Sequence, residues 1–121
     1  MASVSEWLAD ARNELKRAKR AGRDDDAVDA TCHSGMATEK ALNAAPVAEG
    51  KSPDSSGHNL TKEWNRLENQ PPFELHIALL DGTFTQIRYP DTPKEPPENT
   101  DDLITTTDSL ISWVEDCHGD G

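Results

Sequence analysis

Arg88 and Tyr89 stand side by side near the end of an apolar stretch, and of all the residues in this chain they are the pair best suited to holding a ligand. A guanidinium grips a phosphate bidentately through its planar fork of donors, and the neighbouring ring can support a base or a ribose. Arg88 has a plainer use as well: paired with a carboxylate such as Asp91 or Glu39, it would anchor the chain that follows onto the core. His58, ahead of Asn59 and Leu60, could orient a ligand or exchange a proton near neutral pH. Its plainer use is structural, with Asn59 capping a helix that starts there.

The remaining candidates are weaker. Cys32-His33 and Cys117-His118 supply the atoms of a tetrahedral zinc site, but adjacent helical residues diverge by about 100° and the second pair falls in a tail. No metal is expected, Cys32 reads as core and His118 as tail. The serines lack the strand-to-helix elbow of a hydrolase nucleophile, and no glycine-rich phosphate loop occurs. No residue earns a catalytic assignment, and no cofactor is implied.

These residues must be positioned by helices. Val4, Leu8, Ala11, Leu15 and Ala18 recur at steps of three and four, the stripe of an amphipathic helix. Lys16, Arg17, Lys19 and Arg20 suit the negative end of its dipole, and Gly22 is expected to stop it. Asp24, Asp25 and Asp26 offer a cap for a second helix, whose small residues Ala27, Ala30, Ser34, Ala37, Ala41 and Ala44 run to a break near Pro46. Glu39 and Lys40 lie mid-helix there, and only one of two adjacent residues can face the bundle squarely, where an interhelical ion pair is the plain expectation.

Residues 49–57 read as a loop. Leu60, Trp64 and Leu67 mark a short third helix closed by Pro71 and Pro72, and Leu103, Leu110 and Val114 mark a last one behind Asp101 and Asp102. Residues 73–89 fit two patterns. Phe73, Ile77, Leu80 and Phe84 suit a helix, whereas Leu75, Ile77 and Leu79 before Asp81-Gly82 suit a hairpin, which local physics slightly favours. Pro90, Pro93, Pro96 and Pro97 then define an extended connector. Trp7, Trp64 and Trp113 fall on helical stripes and are expected to anchor the core or a dimer interface.

With 121 residues the chain fits one domain, expected over 1–118 with a disordered tail at 119–121. Only 34% of residues are hydrophobic, so a dimer interface would help to close the core. A net charge of −11 repels phosphate over a broad surface, while a local basic pocket could still hold one phosphate. Two distant cysteines suit a reducing compartment, and there is no apolar run of membrane-spanning length and no leader pattern. A cytoplasmic location is the expectation.

Five blocks in order carry a family resemblance: Trp7-Leu8-Ala9-Asp10-Ala11, the run Ala37-Thr38-Glu39-Lys40-Ala41-Leu42, Gly57-His58-Asn59-Leu60, Ile87-Arg88-Tyr89-Pro90-Asp91, and Leu110-Ile111-Ser112-Trp113-Val114. Together they resemble the HEPN family (higher eukaryotes and prokaryotes nucleotide-binding domain) over nearly the whole chain. The resemblance implies an all-α, up-and-down bundle of four to five helices that pairs into a homodimer. It also favours a helix followed by an extended Arg-Tyr-Pro turn over the hairpin at 75–90. Pro46 departs from the leucines with which the family continues its second helix.

Family members include partners of minimal nucleotidyltransferases in toxin–antitoxin pairs, metal-independent ribonucleases, and domains thought to bind nucleotides. The ribonucleases carry an arginine followed, after four to six residues, by a histidine, and no arginine here has a histidine at that spacing. The expectation is therefore a binding or regulatory module for a nucleotide, an RNA end or a nucleotidyltransferase-like partner. Arg88, Tyr89, His58 and, through the resemblance, Lys40 are its candidate ligand contacts. The alternatives are a ribonuclease toxin with a degenerate site and a purely structural docking domain.

Overall fold

The computed structural model describes residues 2–50, 60–67, 70–88 and 100–118, with side chains excluded for 82–88. It contains α1 (Val4–Arg23), α2 (Ala27–Ala48), α3 (Leu60–Asn65), α4 (Glu74–Arg88) and α5 (Thr100–His118), and no strand among the described residues. The chain is an all-α bundle. Helices α1 and α2 form its most extensive pairing, α5 packs on both, and α4 packs on α2 and on the short α3.

A capping box starts α1: the Ser3 hydroxyl accepts from the Glu6 N–H at 3.1 Å, and the Glu6 carboxylate accepts from the Ser3 N–H at 3.1 Å. Leu8, Ala11, Leu15, Ala18 and Ala21 then run down its buried face. Gly22 does not stop the helix, which continues through Arg23. The chain instead reverses at Asp25, in the left-handed region at φ 56° that aspartate tolerates better than most residues. Gly22 serves packing, since a Cβ there would lie 3.2 Å from the Ile104 Cδ1 on α5.

Asp26 caps α2 by accepting from the Asp29 N–H at 3.0 Å. Ala30, Ala37, Ala41 and Ala44 are wholly buried, and their small side chains let α1 and α5 approach closely. Thr31 and Thr38 satisfy their hydroxyls by donating to the carbonyls of Ala27 and Ser34. Pro46 lies inside α2, which ends at Ala48. The proline removes one backbone hydrogen bond and crowds the Leu42 carbonyl, so the helix closes within its next turn.

The hairpin does not form: residues 74–88 are one helix. Ile77 and Leu80 are buried while Leu75 and Leu79 are exposed, so burial follows the helical period and not the strand alternation. Asp81, which looks like a turn residue in sequence, faces the start of α3 instead. It accepts from the Leu60 N–H at 3.0 Å and the Thr61 hydroxyl at 2.7 Å.

Leu42, Leu60, Ile77, Leu80, Leu110, Ile111 and Val114 fill the centre, each burial favouring the fold by roughly 1.5–3 kcal/mol before entropy is counted. Trp7, Trp64 and Trp113 pack partly buried against that core. The Trp64 indole N–H donates to the Pro71 carbonyl at 2.9 Å, fixing the chain between α3 and α4. No described helix is long and apolar enough to cross a membrane.

Candidate functional site

Glu14 lies on the buried side of α1, between Ala11 and Ala18, with its side chain only 2% exposed. A lone carboxylate there would be costly, and it is retained because cations surround it. Arg17, one turn on, donates to Oε1 at 2.6 Å. His33 on α2 donates from Nδ1 to Oε2 at 2.7 Å, and the Lys40 ammonium lies 3.7 Å from Oε1. Burial alone would raise the Glu14 carboxyl, but the His33 hydrogen bond and the charges of Lys40, His33 and Arg17 outweigh it and hold it below its ordinary value.

An ionised Glu14 can only accept, so the His33 proton sits on Nδ1 and Nε2 points away from the buried carboxylate. Nε2 lies 3.7 Å from Asp29, beyond direct hydrogen bonding. On this side the turn between α1 and α2 opens a cleft of about 400 Å³ lined by Arg17, Arg20, Asp24, Asp26, Asp29 and His33. Arg20 and Asp24 have no side-chain partner among the described residues. The cleft thus presents two guanidiniums that suit an anionic group, and an accepting imidazole nitrogen and an unpartnered carboxylate that suit hydrogen-bond donors carried elsewhere on it.

Of the residues singled out from the sequence, Lys40 is well placed to be read. It bridges α2 to α1 through Glu14 and, at 3.8 Å, Asp10. That is the interhelical ion pair, and it puts Lys40 behind the cleft and not in its lining. Arg88 is the last residue of α4, its side chain outside the described set, and His58 and Tyr89 lie outside the described residues, as does the tail at 119–121. Cys32 is half-buried and not core, and its thiol is pushed up by burial and by the charges of Asp29 and Glu14. Among the described residues no three His, Cys, Asp or Glu side chains gather as a metal would require.

Sequence reasoning missed Glu14, although its signal was present: a carboxylate at position 14 falls on the same face as Ala11 and Ala18. It also missed two further polar contacts. Arg12 joins α1 to α5 by donating to Asp108 at 2.5 Å, to Glu115 at 2.5 and 3.2 Å, and to the Ser112 hydroxyl at 2.9 Å. The Glu115 bonds, with those to Asp108, raise the Arg12 guanidinium against the opposing effect of burial. His76 on α4 is buried, and burial pushes its imidazole down to about 4. Thr107 already donates to the Leu103 carbonyl, so the neutral His76 donates from Nε2 to the Thr107 oxygen at 3.1 Å.

The family model of the HEPN domain matches residues 4–117. Neither the curated proteins nor the solved structures contain a match to this chain.

Proposed function

This chain belongs to the HEPN domain family, and from that premise we propose that it is a nucleotide- or RNA-associated binding module whose work does not require catalysis. The cleft at the turn between α1 and α2 carries this reading, because His33 is held by the buried Glu14 beside Arg17 and Arg20. Short-range donors of this kind can hold a phosphate despite a net charge of −11, since the distant field is screened. Lys40 supports the site from behind by keeping Glu14 ionised. Arg88, Tyr89 and His58 are proposed as further contacts to the same ligand chemistry, or to the strand beyond it. The absence of the family's Arg-to-His ribonuclease spacing favours binding over cleavage.

A second reading, protein docking, draws on α4. Leu75 is 87% exposed and Leu79 is 48% exposed, one turn apart on the same helix. A second copy of the chain or a nucleotidyltransferase-like partner, as in a toxin–antitoxin pair, would cover such a face in the cytoplasm.

A thermal-shift titration with nucleotides and short RNAs tests the first reading, run on the wild-type chain, Arg20→Ala and Arg88→Ala. A saturable rise in Tm lost in Arg20→Ala assigns the ligand to the cleft, and one lost in Arg88→Ala assigns it to the end of α4. No rise with any nucleotide or RNA overturns the binding reading and leaves docking, checked by the elution volume of Leu75→Asp against wild type.

A further inference from the structure

The α1–α2 cleft is lined by both guanidiniums and carboxylates, and the residues left over after internal pairing define what would fit. Arg17 is held by Glu14 at 2.6 Å, with its side chain still 59% exposed, so it reaches the cleft with part of its donor fork already oriented. Arg20 lies three positions further along the same helix and has no side-chain partner among the described residues. These two guanidiniums supply the phosphate contacts, while the His33 ring presents an accepting Nε2.

Three carboxylates share the lining, with different commitments. Asp26 is occupied as the cap of α2, accepting from the Asp29 N–H at 3.0 Å. Asp29 faces His33 Nε2 at 3.7 Å. Asp24, the residue that closes α1, has no side-chain partner among the described residues. Arg20 and Asp24 line one cleft, one turn apart, without forming an ion pair with each other. Opposite charges left unpaired at this range are bridged well by a ligand with an anion at one end and two adjacent donors at the other.

Among nucleobases, only guanine presents two neighbouring N–H donors on its Watson–Crick edge, the N1–H and the exocyclic amine, and these match the two oxygens of a carboxylate. A volume of about 400 Å³ falls within the roughly 300–1,000 Å³ of small-ligand pockets. Resting on the nucleotide-binding reading above, we propose that this cleft binds a guanine mononucleotide unit, with Asp24 accepting from the base and Arg20 and Arg17 holding the phosphate. The unit is either free guanosine monophosphate or the terminal guanosine phosphate of an RNA strand, which share the same chemistry.

Isothermal titration of the full chain with guanosine monophosphate, adenosine monophosphate, guanosine and inorganic phosphate tests this. The expected result is at least about tenfold tighter binding of the guanine nucleotide than of the adenine nucleotide. Asp24→Ala abolishes that ratio, whereas Arg20→Ala weakens both nucleotides alike. Asp24 is exposed at the end of α1, so its variant keeps the fold, which circular dichroism checks. Equal binding of the two nucleotides, or inorganic phosphate binding as tightly as the guanine nucleotide, overturns the base assignment and leaves the phosphate-binding module standing. No saturable binding of either nucleotide, with RNA also silent in the thermal-shift panel, overturns both. A short RNA ending in a guanosine phosphate that binds more tightly than the free nucleotide identifies the strand end as the source, and equal affinity identifies the mononucleotide.

Discussion

Arg12 and Glu14 stand two positions apart on α1, yet one faces α5 and the other α2. Arg12 is a single cation between two carboxylates, Asp108 and Glu115, and all three side chains are between 32% and 40% exposed. Glu14 is a single anion among Arg17, His33 and Lys40, and it is buried while its cations reach outward. In the first arrangement the charges are consumed by one another at the surface, and the outcome is a clasp. In the second a hidden anion organises groups whose remaining donors face a cleft. Inverting which charge is buried separates a fastening from a candidate site, although each arrangement ties α1 to a neighbouring helix.

Acid tests the comparison with the largest effect, because its first target is neither cluster. His76 titrates near 4 in the folded state against an ordinary value of 6.5, so between those values the unfolded chain binds a proton that the native chain does not. Stability therefore falls as pH drops from about 6.5 to about 4, by about 3 kcal/mol in total. Urea melts across this range should show the slope, and His76→Gln, which keeps a donor for Thr107, should flatten it. Glu14 and Asp108 are both held below their ordinary values of 4.5 and 3.8, so their contributions are intact above those values and are lost as the pH falls below them.

Glu14→Gln comes next. It removes the charge while keeping the shape and leaves Arg17, Lys40 and the His33 imidazole facing a neutral amide, at an expected cost of about 2 kcal/mol after allowing for their exposure to solvent. The same variant should loosen His33, seen by NMR as a change in its tautomer balance. Arg12→Ala should cost less, about 1 kcal/mol, because its carboxylates are already wetted. A larger loss for Arg12→Ala than for Glu14→Gln would break the distinction between clasp and site. Lys19→Ala sits at the bottom: its contact with Asp108 is 3.6 Å long and half exposed, so the change in urea midpoint should correspond to less than about 0.5 kcal/mol.

Periodicity made most of the helices legible, while the capping box at Ser3 and Glu6, a serine followed three residues later by a glutamate, went unread. The segment 73–89 was not, because Ile77 satisfies both a period of two and a period of 3.6, and only packing of Ile77 and Leu80 against the bundle decides between them. Gly22 misled for a related reason. A glycine near a helix end reads as a stop, but its use here depends on Ile104, more than eighty residues away in sequence. The candidate site was legible in part. An interhelical ion pair was expected from Glu39 or Lys40, but Glu14 was passed over because a carboxylate on a predicted helix is usually solvated, and nothing local reveals that Arg17, Lys40 and the His33 imidazole converge on it.

The contact from Asp81 to the start of α3 has a consequence in time. Six residues are too few to hold a helix in isolation, since nucleation alone is unfavourable by a factor on the order of a thousand. The group that receives the first amide of α3 belongs to α4, twenty-one positions later in the chain. α3 must therefore be a late event in assembly, acquired when α4 docks and surrendered with it. The Leu60 amide should then exchange with solvent at the rate at which α4 lifts away, which makes one proton a clock for the opening of that side of the bundle.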